Sequence, residues 1–103
     1  IGIDIERVRS IRDPIRIARR VLPHDVAARL TQIPSTQLRH AFFTQWTRFE
    51  STQKSAGSGV FEEPIDAELT RIHDFCPLDG FIACVAVSTR DDLTFRYFDY
   101  QES

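Results

Sequence analysis

The spacing of apolar residues changes twice along this chain, and this change limits the fold it can adopt. Residues 1–8 (IGIDIERV) alternate between apolar and other side chains, which is typical of a short strand. Residues 14–56 carry apolar side chains mostly at steps of three and four, as amphipathic helices do. Alternation returns from residue 68. The pattern predicts an α+β domain, with a small, mostly antiparallel sheet packed against a long helix and shorter helices.

Prolines and glycines divide the middle of the chain into three predicted helices. Asp13-Pro14 begins the first, with Asp13 as N-cap and proline at the first helical position, and Pro23 ends it. The second helix is predicted over residues 24–32. The longest covers about residues 36–56 and ends before Gly57-Ser58-Gly59 in the manner of a glycine C-cap. Its aromatic stripe predicts a surface that faces the core: Phe42, Phe43, Trp46 and Phe49.

The last third of the chain predicts three strands, over residues 68–75, 81–88 and 93–100. The second of these is almost entirely apolar, which fits a central strand covered on both faces. Residues 77–80 (PLDG) and Asp91-Asp92 supply turn chemistry between the strands. Connections this short favour antiparallel neighbours.

Composition excludes several classes of protein. The 103 residues are 42% hydrophobic, which is enough to bury a modest core. A net charge of −2 predicts no bulk attraction to nucleic acid or to an anionic membrane. No apolar run approaches the ~20 residues that span a bilayer. Cys76 and Cys84 are too few for a disulfide-stapled scaffold and predict reduced thiols in a cytoplasmic protein.

The start of the sequence indicates a part of a longer protein. Ile1 already belongs to the alternating pattern, and no initiator Met precedes it. Natural N-termini seldom begin in the middle of a strand. We therefore expect this chain to be one piece of a larger polypeptide.

Asp4 and Glu6 are the first candidates for chemistry. At i and i+2 on a strand, their side chains project from the same face. Carboxylates this close repel each other, and a hard cation such as Mg²⁺ relieves the repulsion. The alternative is that both acids point into solvent near a strand end, and spacing alone favours that interpretation.

Glu50 and Lys54 are the second candidates, one turn apart on the long helix. Lys54 is the only lysine in the chain. The simplest interpretation is a surface ion pair between them, worth about 0.2–0.5 kcal/mol. However, Glu50 lies beside the aromatic stripe, and Lys54 is followed by Gly57 and Gly59. An ammonium group near exposed backbone amides can hold a phosphate.

Together the two motifs resemble those of a known enzyme family. Gly2-Ile3-Asp4-Ile5-Glu6, followed later by Trp46-Thr47-x-x-Glu50-Ser51-x-x-Lys54 and Gly57-x-Gly59, is similar to the 4'-phosphopantetheinyl transferases of the surfactin-synthetase-activating (Sfp) type. The order and separation of two motifs are more specific than either motif alone. The resemblance covers residues 1–103 as a single domain. It corresponds to the C-terminal half of the family's chain, which is one half of a pseudo-dimer.

The resemblance implies an enzyme, a holo-[acyl-carrier-protein] synthase of fatty acid, polyketide or nonribosomal peptide biosynthesis. Such enzymes transfer the phosphopantetheine arm of coenzyme A to a serine of an acyl or peptidyl carrier protein and release 3',5'-adenosine bisphosphate. Asp4, Glu6 and Glu50 match the family's metal ligands, for Mg²⁺ or alternatively Mn²⁺. Glu50 would also help to deprotonate the serine. Lys54 would bind phosphate and assist the leaving group, with Gly57 and Gly59 completing the coenzyme site.

Two departures from the family pattern leave alternatives open. Phe49 stands where the family commonly has a lysine, and the nearest substitute, Arg48, points about 100° away around the helix. The alternative hypothesis is therefore a catalytically impaired module that binds coenzyme A or another protein, and a remnant of gene fragmentation is a weaker third. The N-terminal half of the family's chain is also missing. This predicts a partner, either that half or a second copy in a homo-oligomer.

Overall fold

The computed structural model describes residues 1–56, 70–88 and 96. Within this part of the chain, the α+β prediction is confirmed, with three strands and three helices. The predicted strand over 93–100 and the predicted helix cap at Gly57 and Gly59 lie outside it. The elements, in chain order, are β1 (Gly2–Arg7), α1 (Pro14–Val21), α2 (His24–Leu30), α3 (Ser35–Ser55), β2 (Thr70–Phe75) and β3 (Phe81–Ser88).

The strands form an antiparallel sheet in the order β1-β3-β2. The apolar strand β3 lies in the centre as predicted, and its Ala83, Cys84 and Ala86 are fully buried. The register places Asp4 of β1 and Asp74 of β2 on either side of Cys84. One polar residue from each edge strand therefore flanks a buried thiol in the middle of the sheet.

The core lies between the helices and one face of the sheet. Phe42 and Phe43 of α3 are buried there, and Trp46 and Phe49 pack partly buried against them, so the aromatic stripe is part of the core as predicted. The short helices and the C-cap residue of α1, Leu22, contribute smaller apolar side chains to the same cluster: Ala18, Leu22, Ala27 and Leu30. No helix within the described residues is long and apolar enough to cross a membrane.

The first helix begins as its sequence predicts. The Asp13 carboxylate accepts a hydrogen bond from the backbone N–H of Arg16 at 3.2 Å, and Pro14 occupies the first helical position. The cap satisfies one of the amides that every helix N-terminus leaves without a partner inside the helix. Pro23 separates α1 from α2, because a proline donates no amide to a helix interior.

Strand β1 turns its acidic face to the helix and its isoleucine face outward. Gly2 and Asp4 are buried, whereas Ile1, Ile3 and Ile5 are 80%, 49% and 53% exposed. The alternation along the strand is confirmed. The interpretation that both acids point into solvent is wrong for Asp4, because α3 covers the face from which it projects.

Candidate active site

Gly2 lets helix α3 lie directly on strand β1. A Cβ atom added at this position would lie 2.0 Å from the Ser51 carbonyl oxygen and 2.5 Å from the Ser55 amide nitrogen. On the helix side, Thr47 and Ser51 are fully buried, and their hydroxyls donate to carbonyls of α3 itself. Because small and internally satisfied residues line this contact, the acids of β1 meet the helix at short range.

Lys54 bonds to the more deeply buried acid of β1. Its Nζ lies 3.0 Å from Asp4 Oδ1 and donates a second hydrogen bond to the Ile3 carbonyl at 3.1 Å. Asp4 is only 7% exposed, and its Oδ2 is buried without a hydrogen bond from the described residues. No ion pair joins Lys54 to Glu50 in the described part of the chain, so the local helix pair is replaced by one that links helix and strand.

Two side chains to which the sequence motifs assign no role in the site contact Glu6. The Trp46 indole Nε1 donates to Oε1 at 3.2 Å, and Arg9 Nη1 lies 3.5 Å from Oε2. The Arg9 guanidinium also stacks over the Phe43 ring, 4.9 Å from its centre. The spacing of Trp46 from Glu50 and Lys54, one turn per step, was the available signal for its role.

Glu50 lies on the same row of the helix as Trp46 and Lys54. These flanking residues, one turn to either side, contact Glu6 and Asp4 respectively. Helix geometry therefore places half-buried Glu50 on the side of α3 that faces β1. Among the residues that the structure describes, however, no three histidines, cysteines or acids lie close enough together to hold a metal ion. The three predicted ligands therefore do not form one metal-binding cluster here.

The two acids of β1 fit a divalent cation as a pair. The orphaned Oδ2 of Asp4 is a buried anionic oxygen that lacks a described donor, and Glu6 projects from the same face. Mg²⁺ usually takes one or two carboxylates and completes its shell with water and phosphate oxygens. Asp4 and Glu6 are the two carboxylates that could hold such an ion, and Glu50 is the one acid on α3.

Arg48 is not available to replace the lysine that the family commonly has at position 49. Its Nε donates to both carboxylate oxygens of Asp74 at 3.1 and 2.9 Å, and its Nη2 bonds to Oδ2. These hydrogen bonds raise the pKa of Arg48 above its usual value. Phe49 points into the core instead, with its ring 6.5 Å from that of Trp46.

The two cysteines are free thiols, and Cys84 lies opposite Asp4 in the pairing of β1 with β3. Burial raises the pKa of the Cys84 thiol to about 11, so it is neutral at physiological pH. Cys76 is exposed, and its Sγ lies 3.1 Å from the Leu78 carbonyl oxygen. Within the described residues, this arrangement does not activate a thiolate nucleophile.

A cavity of about 220 Å³ opens beside Glu6. Glu6, Arg9 and Trp46 give it a polar rim, and Phe42 and Phe43 are among its apolar lining residues. A larger cavity of about 420 Å³, lined by residues such as His40 and Cys76, contains none of the predicted site residues. Of these two cavities, the smaller one is lined by a predicted site residue, Glu6, and we associate it with the candidate site.

Comparison with models of protein families relates the chain to known proteins. A model of the 4'-phosphopantetheinyl transferase superfamily matches residues 1–77. The matched range includes both motifs, with Asp4 and Glu6 on β1 and Glu50 and Lys54 on α3. The search of curated proteins found no match.

Proposed function

Because the chain belongs to the 4'-phosphopantetheinyl transferase superfamily, we propose that it transfers the phosphopantetheine arm of coenzyme A to a serine of an acyl or peptidyl carrier protein. The contact between Lys54 Nζ and Asp4 Oδ1 at 3.0 Å carries this proposal. It brings a cation suited to phosphate and a carboxylate suited to Mg²⁺ to one point between α3 and β1.

The reaction exchanges one phosphorus–oxygen bond for another. The serine oxygen bonds to the phosphorus that carries the pantetheine arm, and the bond from that phosphorus to 3',5'-adenosine bisphosphate breaks. Glu50 accepts the serine proton, and Lys54 offsets negative charge on the departing phosphate. Mg²⁺, or Mn²⁺, held by Asp4 and Glu6 with Glu50 as a further ligand, would neutralise charge on the pyrophosphate oxygens.

We also propose that residues 1–103 form a single domain equivalent to the C-terminal half of an Sfp-type enzyme that acts in the cytoplasm. The outward isoleucines of β1 support this, since large apolar side chains exposed in a row mark a surface that a partner covers. The partner would be an N-terminal half or a second copy of the chain.

A transfer assay tests the proposal directly. The chain, and separately a longer protein containing it, is incubated with an apo carrier protein, coenzyme A and Mg²⁺. Mass spectrometry then measures whether the carrier gains the phosphopantetheine arm. We expect a gain that Asp4→Asn and Glu50→Gln abolish. Asp25→Asn is the matched control, because Asp25 is an exposed acid on α2 that pairs with Arg29. A gain unaffected by the site variants would contradict the site assignment.

Phe49 supports a second candidate, a coenzyme A-binding module with impaired catalysis. The position supplies no charge, and Arg48 is held by Asp74. Titration calorimetry with coenzyme A and Mg²⁺ distinguishes the two functions. Binding without a mass gain on the carrier, followed by a gain with Phe49→Lys, would favour the impaired module over the enzyme.

A further inference from the structure

Asp4 is a carboxylate that needs a nearby positive charge. It is 7% exposed, and the residue beside it on the central strand is Cys84, a buried neutral thiol. One of its oxygens, Oδ2, is buried and accepts no hydrogen bond from the described residues. A buried carboxylate without a compensating partner is costly, so its partners decide how stable this part of the fold is.

Lys54 supplies that charge from the exposed side of the helix. Its Nζ lies 3.0 Å from Oδ1, and among the described residues it is the one cation paired with Asp4. The side chain of Lys54 is 50% exposed, whereas that of Asp4 is 9% exposed. The ammonium group can therefore turn out to solvent without unpacking the core, while the carboxylate stays in place.

We propose that Lys54 is an internal counter-ion that competes with the divalent cation for Asp4. This inference rests on the proposed function, and it concerns the order of contacts at the same site. A metal ion at the free Oδ2 and the ammonium on Oδ1 would share one carboxylate, and two cations this close repel each other. Metal binding therefore moves Lys54 away from Asp4.

The competition couples the metal to a phosphate-bearing ligand. When a metal takes Asp4, Lys54 becomes free to bind phosphate. When phosphate draws Lys54 away, Asp4 becomes free to bind metal. Coupling of this kind is reciprocal, so the metal and a pyrophosphate ligand each raise the affinity for the other.

The choice of lysine fits this role better than arginine would. Lysine is a compact charge on a flexible stem, whereas the planar guanidinium of arginine grips both oxygens of a carboxylate at once. Arg48 holds Asp74 in that way elsewhere on the same helix. An arginine at position 54 could also donate a hydrogen bond to the unpartnered Oδ2 of Asp4. A metal ion would then displace it less easily.

Titration of the chain with Mn²⁺ alone, followed by electron paramagnetic resonance, tests the competition. We expect Lys54→Gln to bind Mn²⁺ about tenfold more tightly than the wild type, because a charge-assisted contact no longer has to be broken. We expect Lys54→Arg to bind it several-fold more weakly, although the charge is kept. Arg29→Gln removes a remote positive charge on α2 and should leave the affinity unchanged.

Thermal unfolding gives an independent readout. Without added metal, Lys54→Gln should have a lower Tm than the wild type, because Asp4 loses its counter-ion. Added Mn²⁺ should then raise the Tm of Lys54→Gln by more than that of the wild type. If Lys54→Gln does not fold, the weaker binding expected for Lys54→Arg still decides the question.

The outcomes separate the two proposals. Equal Mn²⁺ affinities for wild type and Lys54→Gln, or tighter binding by Lys54→Arg, would overturn the counter-ion inference and leave the proposed transferase intact. Failure of the wild type and all variants to bind Mn²⁺ would overturn both the inference and the metal-dependent mechanism.

Discussion

Arg48 of α3 donates hydrogen bonds to both oxygens of the Asp74 carboxylate on β2. This edge of the sheet is the one opposite to β1, where Lys54 of the same helix binds Asp4. Helix α3 therefore crosses the central strand and forms an ion pair with each of the two outer strands of the described sheet. The position of Glu50 and Lys54 over the acids of β1 depends in part on a contact at the far edge.

We expect Arg48→Lys and Asp74→Asn each to lower the free energy of unfolding by about 1 kcal/mol. Both side chains are partly exposed, so the estimate is kept near the range for solvent-screened pairs. Urea denaturation measures the change. Arg29→Lys, at the exposed Asp25 pair of α2, is the control and should change stability by less than about 0.5 kcal/mol. Equal effects at the two pairs would contradict a special role for Arg48.

The glycines at positions 2 and 80 allow a matched test of steric and conformational strain. We expect Gly2→Ala to cost roughly 3 kcal/mol or more, because the new Cβ would collide with the α3 backbone 2.0 Å away. Gly80→Ala places its Cβ in open space but at a φ of +82°, so only about 1 kcal/mol is expected. The midpoints of urea unfolding give the comparison. A tolerated Gly2→Ala would mean that α3 does not lie against β1 as described.

Stability should fall above pH 9 because of Cys84. In the unfolded chain this thiol ionises near pH 9, whereas burial raises its pKa in the folded protein to about 11. Between these values the unfolded state loses the proton first, so unfolding becomes more favourable as pH rises. The loss starts near pH 9, levels off above pH 11 and amounts to on the order of 2 kcal/mol.

Unfolding titrations at a series of pH values measure this loss. Cys84→Ala should remove it, while Cys76→Ala, which lacks only the exposed thiol, should keep it. Parallel pH curves for the wild type and Cys84→Ala would show that the buried thiol has no part in the effect.

The isoleucine face of β1 predicts self-association of the chain when no other partner is present. Ile3 and Ile5 are each about half exposed, at 49% and 53%, on one face of an edge strand. We expect sedimentation velocity to detect a dimer or larger species, and the double variant Ile3→Thr and Ile5→Thr to shift it to monomer. Threonine keeps the strand preference and removes much of the apolar surface. A monomeric wild type at high concentration would rule out this self-association.

Sequence periodicity predicted β1, β2 and β3, the helix starts and the central position of β3, because each depends on local pattern. It did not decide which face of β1 the helix covers. Isoleucines usually face a core, yet α3 covers the face with Gly2, where a Cβ would collide with the helix. The sequence also could not predict the partners of Lys54 and Arg48. They lie 50 and 26 residues away in sequence, and only tertiary packing brings them together.

The strand order β1-β3-β2 has a consequence for synthesis on the ribosome. In the described sheet, β1 pairs only with β3, so the first of these strands to emerge must wait for residues 81–88. The three helices lie between them and can form earlier, since their contacts are local. A nascent chain halted before β3 would carry the acids of β1 without the sheet that positions them. The candidate site is therefore assembled late in translation, after most of its residues have already been made.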